Sequence, residues 1–287
     1  MHHLNTNELF YYGSFLAIPY FLWLCYRLKN QPNIINLLLF TLGTLFIWSR
    51  FIEPQLLLTK HTTIANTHIK ADILLVADLH IGAYKSTHYL ERLVNKINAT
   101  PAQFNIIAGD FIYAANPDNL NQLLAPLAKL NRPTYIVLGN HDTHTPKLNS
   151  VLTKFNLINI EQKIIDMPTY QLAGVGDRWN LGDDPQFLEQ SSDQPILMVA
   201  HNPDSAVMFD PKKVTLVLAG HTHCGQIRIP FIYEKVIPSE YGFNCLLETT
   251  KTDKGIMKVF ITRGIGEIGL PMRLFNPPTI DVLHLAP

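Results

Sequence analysis

Five short clusters of metal-capable side chains, each set directly after an apolar run, constrain this chain more than any other feature. Asp78-Leu79-His80 follows residues 73–77, Gly109-Asp110 follows 104–108, and Gly139-Asn140-His141-Asp142 follows 134–138. His201-Asn202 follows 196–200, and Gly220-His221-Thr222-His223 follows 216–219. Short, bulky apolar runs are the pattern of strands buried on both faces. The carboxyl ends of such strands are where open α/β sheets build their sites. The glycines before Asp110, Asn140 and His221 let the backbone turn sharply and approach a ligand closely.

Between these runs the periodicity changes. Residues 87–98 set Leu90, Leu93, Val94 and Ile97 on one helical face, as an amphipathic helix requires. Residues 117–130 and 147–155 also read as helices. The βαβαβ alternation argues for a layered α/β domain. Further strand-like runs lie at 171–175, 196–200, 214–219, 257–262 and 280–285, while helical signal is sparse after about residue 210. The expected fold is therefore α/β, with two packed β-sheets flanked by helices.

The first sixty residues differ in kind. Residues 9–26 and 34–49 carry no charge, and each run is near the lower limit of about 17 residues for a membrane-spanning helix. Tyr11, Tyr12, Trp23, Tyr26 and Trp48 sit near the run ends, as interfacial aromatics do. The expectation is a hydrophobic helical hairpin at 1–52 anchored in a bilayer, a linker at 53–70, and a catalytic domain at 71–287. Removing residues 1–52 is then expected to leave a folded domain. The alternatives are a monotopic anchor, since Pro19 interrupts the first run, or buried core helices. A cleaved signal peptide fits less well, for want of a basic start and a clear cleavage site. Arg27 and Lys29 favour a cytoplasmic connector, and Arg50 with Lys60 pull the other way.

Lys plus Arg equals Asp plus Glu at 23 each. This balance lacks the basic footprint of a nucleic-acid binder, so nucleic acid is not an expected partner. Of Cys25, Cys224 and Cys245, only the last two lie outside the apolar runs, which allows at most one disulfide there. The candidate donors are carboxylate, amide oxygen and imidazole, a set that suits Mn²⁺, Zn²⁺ or Fe better than Mg²⁺ or Ca²⁺. Seven of them exceed the needs of one tetrahedral zinc and match two metals sharing a bridge.

In order, the clusters read A-D-L-H, A-G-D, L-G-N-H-D, A-H-N-P-D and A-G-H-T-H. This ordered set resembles the calcineurin-like metallophosphoesterase superfamily over about residues 71–226. A weaker tail, T-R-G-I-G at 262–266 and L-P-M-R-L-F-N-P-P at 270–278, extends the likeness. The membrane-anchored bacterial phosphodiesterase-like branch is the most similar, sharing the N-terminal hydrophobic segment, Glu53-Pro54, H-N-P-D and most of G-H-T-H-G-G-Q. Cys224 stands where that branch commonly has glycine, and Thr279 where it commonly has Glu. Cys224 is read as filling space rather than adding a thiolate ligand.

The resemblance implies that Asp78, His80 and His223 hold one metal, that Asn140, His201 and His221 hold the other, and that Asp110 bridges. It implies two divalent ions, manganese first and zinc or iron as alternatives. His141 would face the phosphate without ligating, and Asp142 would orient His141 or cap the following helix. Water would be the nucleophile, with no phospho-enzyme. Tyr113, Arg178, Trp179, Arg228 and Arg263 are candidate substrate contacts. The implied activity is phosphodiester or phosphomonoester hydrolysis at a bacterial inner membrane, on a phosphoester that is lipid-linked. A sharper alternative is a pyrophosphatase splitting a UDP-2,3-diacylglucosamine-like substrate. A different class, an inactive metal-stabilised binding scaffold, is disfavoured because His141 and every implied ligand are present.

Overall fold

The computed structural model describes residues 6–287; the first five residues of the expected 1–52 anchor lie outside them. Helix α1 (Thr6–Gly13) runs through a 3-10 turn into α2 (Ala17–Asn30). Asn33 then starts α3 (Ile34–Ile47) by accepting the Asn36 N–H at 3.0 Å, a standard N-cap. The continuous helices Thr6–Asn30 and Ile34–Gln55 have 25 and 22 residues. At about 1.5 Å per residue both exceed the roughly 30 Å of a bilayer core. Only 6% and 17% of their most apolar stretches are buried, so they are not core helices, and that alternative falls. They pack on each other through stacked Phe21 and Phe40 rings, 5.5 Å apart.

Fourteen strands follow. They are β1 (Leu58–Ile64), β2 (Ala71–Val76), β3 (Ile81–Gly82), β4 (Phe104–Ala108), β5 (Ile112–Tyr113), β6 (Thr134–Val137) and β7 (Ile158–Asn159), then β8 (Lys163–Asp166), β9 (Gln171–Gly174), β10 (Ile196–Val199), β11 (Val214–Ala219), β12 (Leu246–Thr252), β13 (Gly255–Ile261) and β14 (Thr279–Leu285). Among the described residues two six-stranded sheets form, in the orders β1-β14-β2-β4-β6-β7 and β12-β13-β11-β10-β9-β8. Ile73, Leu75 and Ile106 of the first sheet meet Leu172, Leu197, Leu216, Leu218 and Phe260 of the second in one buried cluster. Their neighbours Leu74, Val76 and Ile107 point the other way, onto Leu90, Leu93, Val94 and Ile97 of α4 (Thr87–Ala99). Each central strand thus buries both faces, which explains its unbroken apolar run. A fully buried leucine such as Leu93 contributes about 1.5–3 kcal/mol.

On the far face of the second sheet the cover comes from 3-10 segments, Pro185–Gln190 and Pro203–Met208, whose Leu188 and Ala206 reach Met198 and Val217. The helix expected at 117–130 is broken into a 3-10 turn, the single turn α5 (Leu120–Leu123) and a second 3-10 turn, Ala125–Lys129. Pro126 has no N–H to continue the ladder. Helix α6 (Leu148–Lys154) matches its expectation.

The linker expected at 53–70 is corrected. Within it, β1 pairs in parallel with β14 from Leu58↔Thr279 to Ile64↔Leu285. As an edge strand it is polar and half exposed, which is why its composition imitates a linker. The boundary at residue 52 also falls inside a bonded network. Arg273 N donates to Ser49 O at 2.9 Å. The buried Glu53 carboxylate accepts from Trp48 Nε1 at 2.7 Å, Phe275 N at 3.0 Å and Asn276 N at 2.5 Å. A cut after residue 52 removes partners that the C-terminal tail uses.

Asp281 lies in β14, fully buried between β1 and β2. Thr262 Oγ1 donates to its Oδ2 at 2.6 Å, and Oδ1 has no partner. Burial pushes its carboxyl from 3.8 up to about 7. Below pH 3.8 both folded and unfolded chains hold this proton. As pH rises from there to about 7, the unfolded chain alone releases it, and stability falls. Asp281→Asn removes that loss, so its melting temperature should gain on the wild type between pH 4 and pH 7.5. Thermal melts at both pH values measure the gap; a gap that does not widen means that Asp281 is ionised in the fold.

Candidate metal centre

Strands β2, β4 and β6 of one sheet and β10 and β11 of the other end along one edge of the sandwich. The chain just beyond them carries Asp78 and His80, Asp110, Asn140 and His141, His201, and His221 and His223. The fold therefore brings all seven candidate ligands together. Asp110 Oδ2 lies 3.5 Å from His80 Nε2 and 3.3 Å from His201 Nε2. On one side His80 Nε2 is 3.1 Å from His223 Nε2, which is 3.7 Å from Asp78 Oδ1. On the other, His201 Nε2 is 3.2 Å from Asn140 Oδ1 and 3.3 Å from His221 Nδ1. Atoms bound to one ion at about 2.1 Å lie roughly 3.0–3.4 Å apart, so both groups match the spacing of coordination shells.

The backbone is held in a demanding form here. Asp78, His80, Asp110, His221 and His223 all have positive φ, between 46° and 68°. Left-handed backbone at non-glycine residues costs about 1–3 kcal/mol each and gathers at functional sites. Gly139 is a glycine for a steric reason: a Cβ there would collide with Asp110 Oδ1.

Burial governs the charges. It pushes His80 down to about 4 and, with the nearby His201 adding to it, His221 down to about 3; His223 also falls well below its ordinary value. These imidazoles are neutral at pH 7, the form that ligates metals. Burial opposes ionisation of Asp110, yet His201 and His80 outweigh it and hold the carboxyl well below the usual range. Burial likewise opposes the charged form of His201, and Asp110 outweighs it and raises His201. Burial also raises Asp78. Two carboxylates, Asp78 and Asp110, stand among His80, His221 and His223, which burial keeps neutral, and this donor chemistry fits divalent ions.

Residues 71–225 match the calcineurin-like phosphoesterase family. The chain belongs to that family. It is a metal-dependent phosphoester hydrolase. It is 27% identical to a metallophosphoesterase of Campylobacter jejuni over 79% of this chain and 62% of that protein, so it spans less than two thirds of that relative. It is 27% identical to phosphodiesterase YaeI of Escherichia coli, over 74% of this chain and 81% of the relative. It is 23% identical to UDP-2,3-diacylglucosamine pyrophosphatase LpxG of Chlamydia muridarum, over 83% and 92%.

Around this calcineurin-like centre, the structure corrects or adds several roles. Asp142 neither orients His141 nor caps α6. Its carboxylate accepts from Phe111 N at 2.9 Å, Ile112 N at 3.3 Å and Gly139 N at 3.0 Å, tying the Asp110 turn to the Asn140 turn. His141 lies outside the donor groups: its N–H donates to Asp110 Oδ1 at 3.0 Å, and its ring borders the adjoining cavity. Cys224 is bonded to Cys245, so it is neither a thiolate ligand nor mere filling.

Arg273 and Asn276 in the weakly matching tail were missed as supports. Asn276 Nδ2 donates to His223 O at 2.6 Å, and the fully buried Arg273 guanidinium lies 3.4 Å from His223 Nδ1. Only the N-P-P run hinted at them. Among the proposed substrate contacts, Trp179 and Tyr113 lie at the centre, their rings 4.7 Å from His221 and 5.6 Å from His80. Two of the three arginines are otherwise engaged. Arg178 pairs with Asp183 at 3.1 Å and Glu240 at 3.6 Å, and Arg228 sits 4.5 Å over the Tyr233 ring. The Arg263 carbonyl accepts from Arg273 Nη1 at 3.1 Å.

Gly139→Ala should displace Asp110 from between the two donor groups. Metal analysis of the purified variant is expected to find most of the metal gone while far-ultraviolet circular dichroism stays native. Full metal content would mean that the Asn140 turn can move aside.

Proposed function

We propose that this chain hydrolyses phosphodiesters at a dinuclear divalent-metal centre, manganese first, on a membrane-associated substrate. The observation that carries the reading is the position of Asp110, with one oxygen within 3.5 Å of an imidazole from each donor group. Asp78, His80 and His223 would hold one ion, Asn140, His201 and His221 the other, and Asp110 would join them. Bound ions would neutralise phosphate oxygens and acidify a water for in-line attack on phosphorus.

The protein's own groups do the rest. Asp142 and Gly139 keep the two turns in register. Trp179 and Tyr113 shield the centre from bulk water. His141 is the acid: a ring N–H of its imidazolium protonates the leaving oxygen as the phosphorus–oxygen bond breaks. Burial lowers its pKa, and an approaching phosphate anion would raise it again, toward the range where an imidazole donates at neutral pH.

His141→Ala should keep its metals and lose about 10²–10⁴-fold in rate on a chromogenic diester, whereas Asp110→Ala should lose metals and activity together. Metal loss in the His141 variant would make it a ligand, and two metals retained in the Asp110 variant would end the bridging assignment. No turnover by the Mn²⁺-loaded wild type would favour the inactive scaffold. Likeness to the Chlamydia pyrophosphatase supports a lipid-linked substrate as a second, narrower reading.

We also infer that the two apolar helices span the bacterial inner membrane and that the hydrolase domain faces its oxidising side. Arg27 and Lys29 in the connector favour a cytoplasmic turn, which puts both chain ends outside. The Cys224–Cys245 bond supports the same side, because disulfides persist in oxidising compartments. In membranes from cells quenched with alkylating agent, a maleimide-coupled polymer should add to Cys224 and Cys245 only after reduction. No polymer addition even after reduction, because both thiols were already alkylated in the quench, would put the domain in the cytoplasm.

A further inference from the structure

The cavity beside the donor groups has a volume of about 610 Å³. Asp110, Asn140, His141 and His221 border one end, and Ile227, Val236, Pro238, Ile268 and Leu270 form much of the wall. From this wall we infer that the site takes an amphiphilic phosphoester whose apolar chain lies in the cavity while its phosphate meets the metals. The inference rests on the hydrolase reading above and specifies its substrate class.

Three observations carry it. First, among the described residues that line the cavity none is Lys or Arg, although a nucleotide or sugar phosphate calls for such groups. Of the arginines that sequence placed near substrate, Arg228 is held by Tyr233 and Arg178 by Asp183 and Glu240.

Second, the polar groups in the wall are already used. Gln226 Nε2 donates to Ile268 O at 3.2 Å and Leu270 O at 2.9 Å, and its Oε1 accepts from Ile268 N at 2.8 Å. Thr222 Oγ1 donates to Asn244 O at 2.9 Å and accepts from Cys224 N at 3.1 Å. Sugar hydroxyls would lose water there and find few partners, which is unfavourable. An alkyl chain loses nothing.

Third, the rim is apolar and leads to the anchor helices. Phe231 is 91% exposed and Val236 71%, with Ile229, Ile232, Leu270 and Phe275 also exposed. Exposed apolar side chains gathered on neighbouring segments are the composition of a binding surface. Arg228 N donates to Leu274 O at 2.9 Å, which joins this loop to the 268–275 segment. That segment is bonded in turn to the helices, through Phe275 N to Glu53 and through Tyr84, whose hydroxyl lies 2.6 Å from Gly269 O and 3.1 Å from Asn7 Oδ1. A chain leaving a bilayer beside those helices meets apolar surface up to the metals.

The test uses the full chain, Mn²⁺-loaded, at one fixed detergent concentration. Its substrates are p-nitrophenyl alkyl phosphodiesters from methyl to hexyl, with a p-nitrophenyl uridine phosphodiester beside them. Each buried methylene is worth about fourfold in affinity, so kcat/KM should rise more than tenfold from methyl to hexyl. The uridine ester should be no better than methyl. Leu270→Asp should bring the hexyl-to-methyl ratio toward one. Alkylphosphonates of the same lengths, titrated calorimetrically into the metal-loaded wild type, give a readout that needs neither turnover nor a variant. Their affinity should climb with chain length. Turnover with a flat series, or the uridine ester as best substrate, overturns the inference and leaves the hydrolase intact. Failure to turn over any ester overturns the hydrolase reading, and flat phosphonate affinities then overturn the apolar site as well.

Discussion

The buried carboxylate of Asp110 is the constraint on which the rest of the structure depends. Taking an anion out of water costs several kcal/mol unless cations and hydrogen bonds replace the solvent. Asp110 is 2% exposed, with imidazoles on two sides and the His141 N–H on its Oδ1. Every unusual backbone feature nearby serves that arrangement. Positive φ at five donors aims their side chains inward, and Gly139 leaves room where any side chain would strike the carboxylate. The sandwich provides the stiffness that this strain needs. Central strands packed on both faces cannot relax, so the turns at their ends stay in high-energy conformations.

A second set of buried charges ties the centre to the N-terminal helices. Lys85 Nζ lies 3.0 Å from Glu267 Oε1, Arg273 Nε lies 3.6 Å from the same oxygen, and Lys85 also donates to Pro54 O. Burial pulls Lys85 down to about 8, although Glu267 opposes the shift. Breaking such a cluster leaves an uncompensated charge, which costs about 3–5 kcal/mol. The cluster therefore resists separation of its parts. Through Arg273 and Asn276 it reaches His223, and through Glu53 it reaches the end of the second long helix. The two long helices are thus part of the support behind one donor group, unlike a segment joined through a flexible linker.

What sequence made legible follows from where the information is local. Donor clusters after apolar runs, the helix at 87–98 and the two-sheet layering all depend on neighbours in the chain, and the structure has them. Edge strand β1 was not legible, because Leu58–Ile64 carries Lys60, His61 and three threonines and gains its order from β14, more than two hundred residues away. Asp142 was placed wrongly for a related reason. Its partners Phe111 and Ile112 are some thirty residues distant, while the two roles carried over with the resemblance, a cap or a partner for His141, were both local. Nothing in the sequence set Arg273, Glu267 and Lys85 apart from surface charges. Only their joint burial gives them another meaning.

The division of labour between strand ends and later loops explains why the chemistry was easier to read than the substrate. Strand ends present donors in a fixed geometry, and that geometry specifies only phosphate and metal. Discrimination between substrates falls to segments 226–238 and 268–275, whose backbones bond to each other at Gln226–Leu274 and Arg228–Leu274. Those bonds leave the side chains to line the cavity, and the side chains are mostly apolar. A wall of that kind gains selectivity from the water it excludes, at about 25 cal/mol per Å² of apolar surface covered, and draws little from hydrogen bonds to substrate. The same segments carry the exposed Phe231 and Phe275 and bond to the helix ends, so an apolar chain drawn to the cavity would meet apolar surface before it entered.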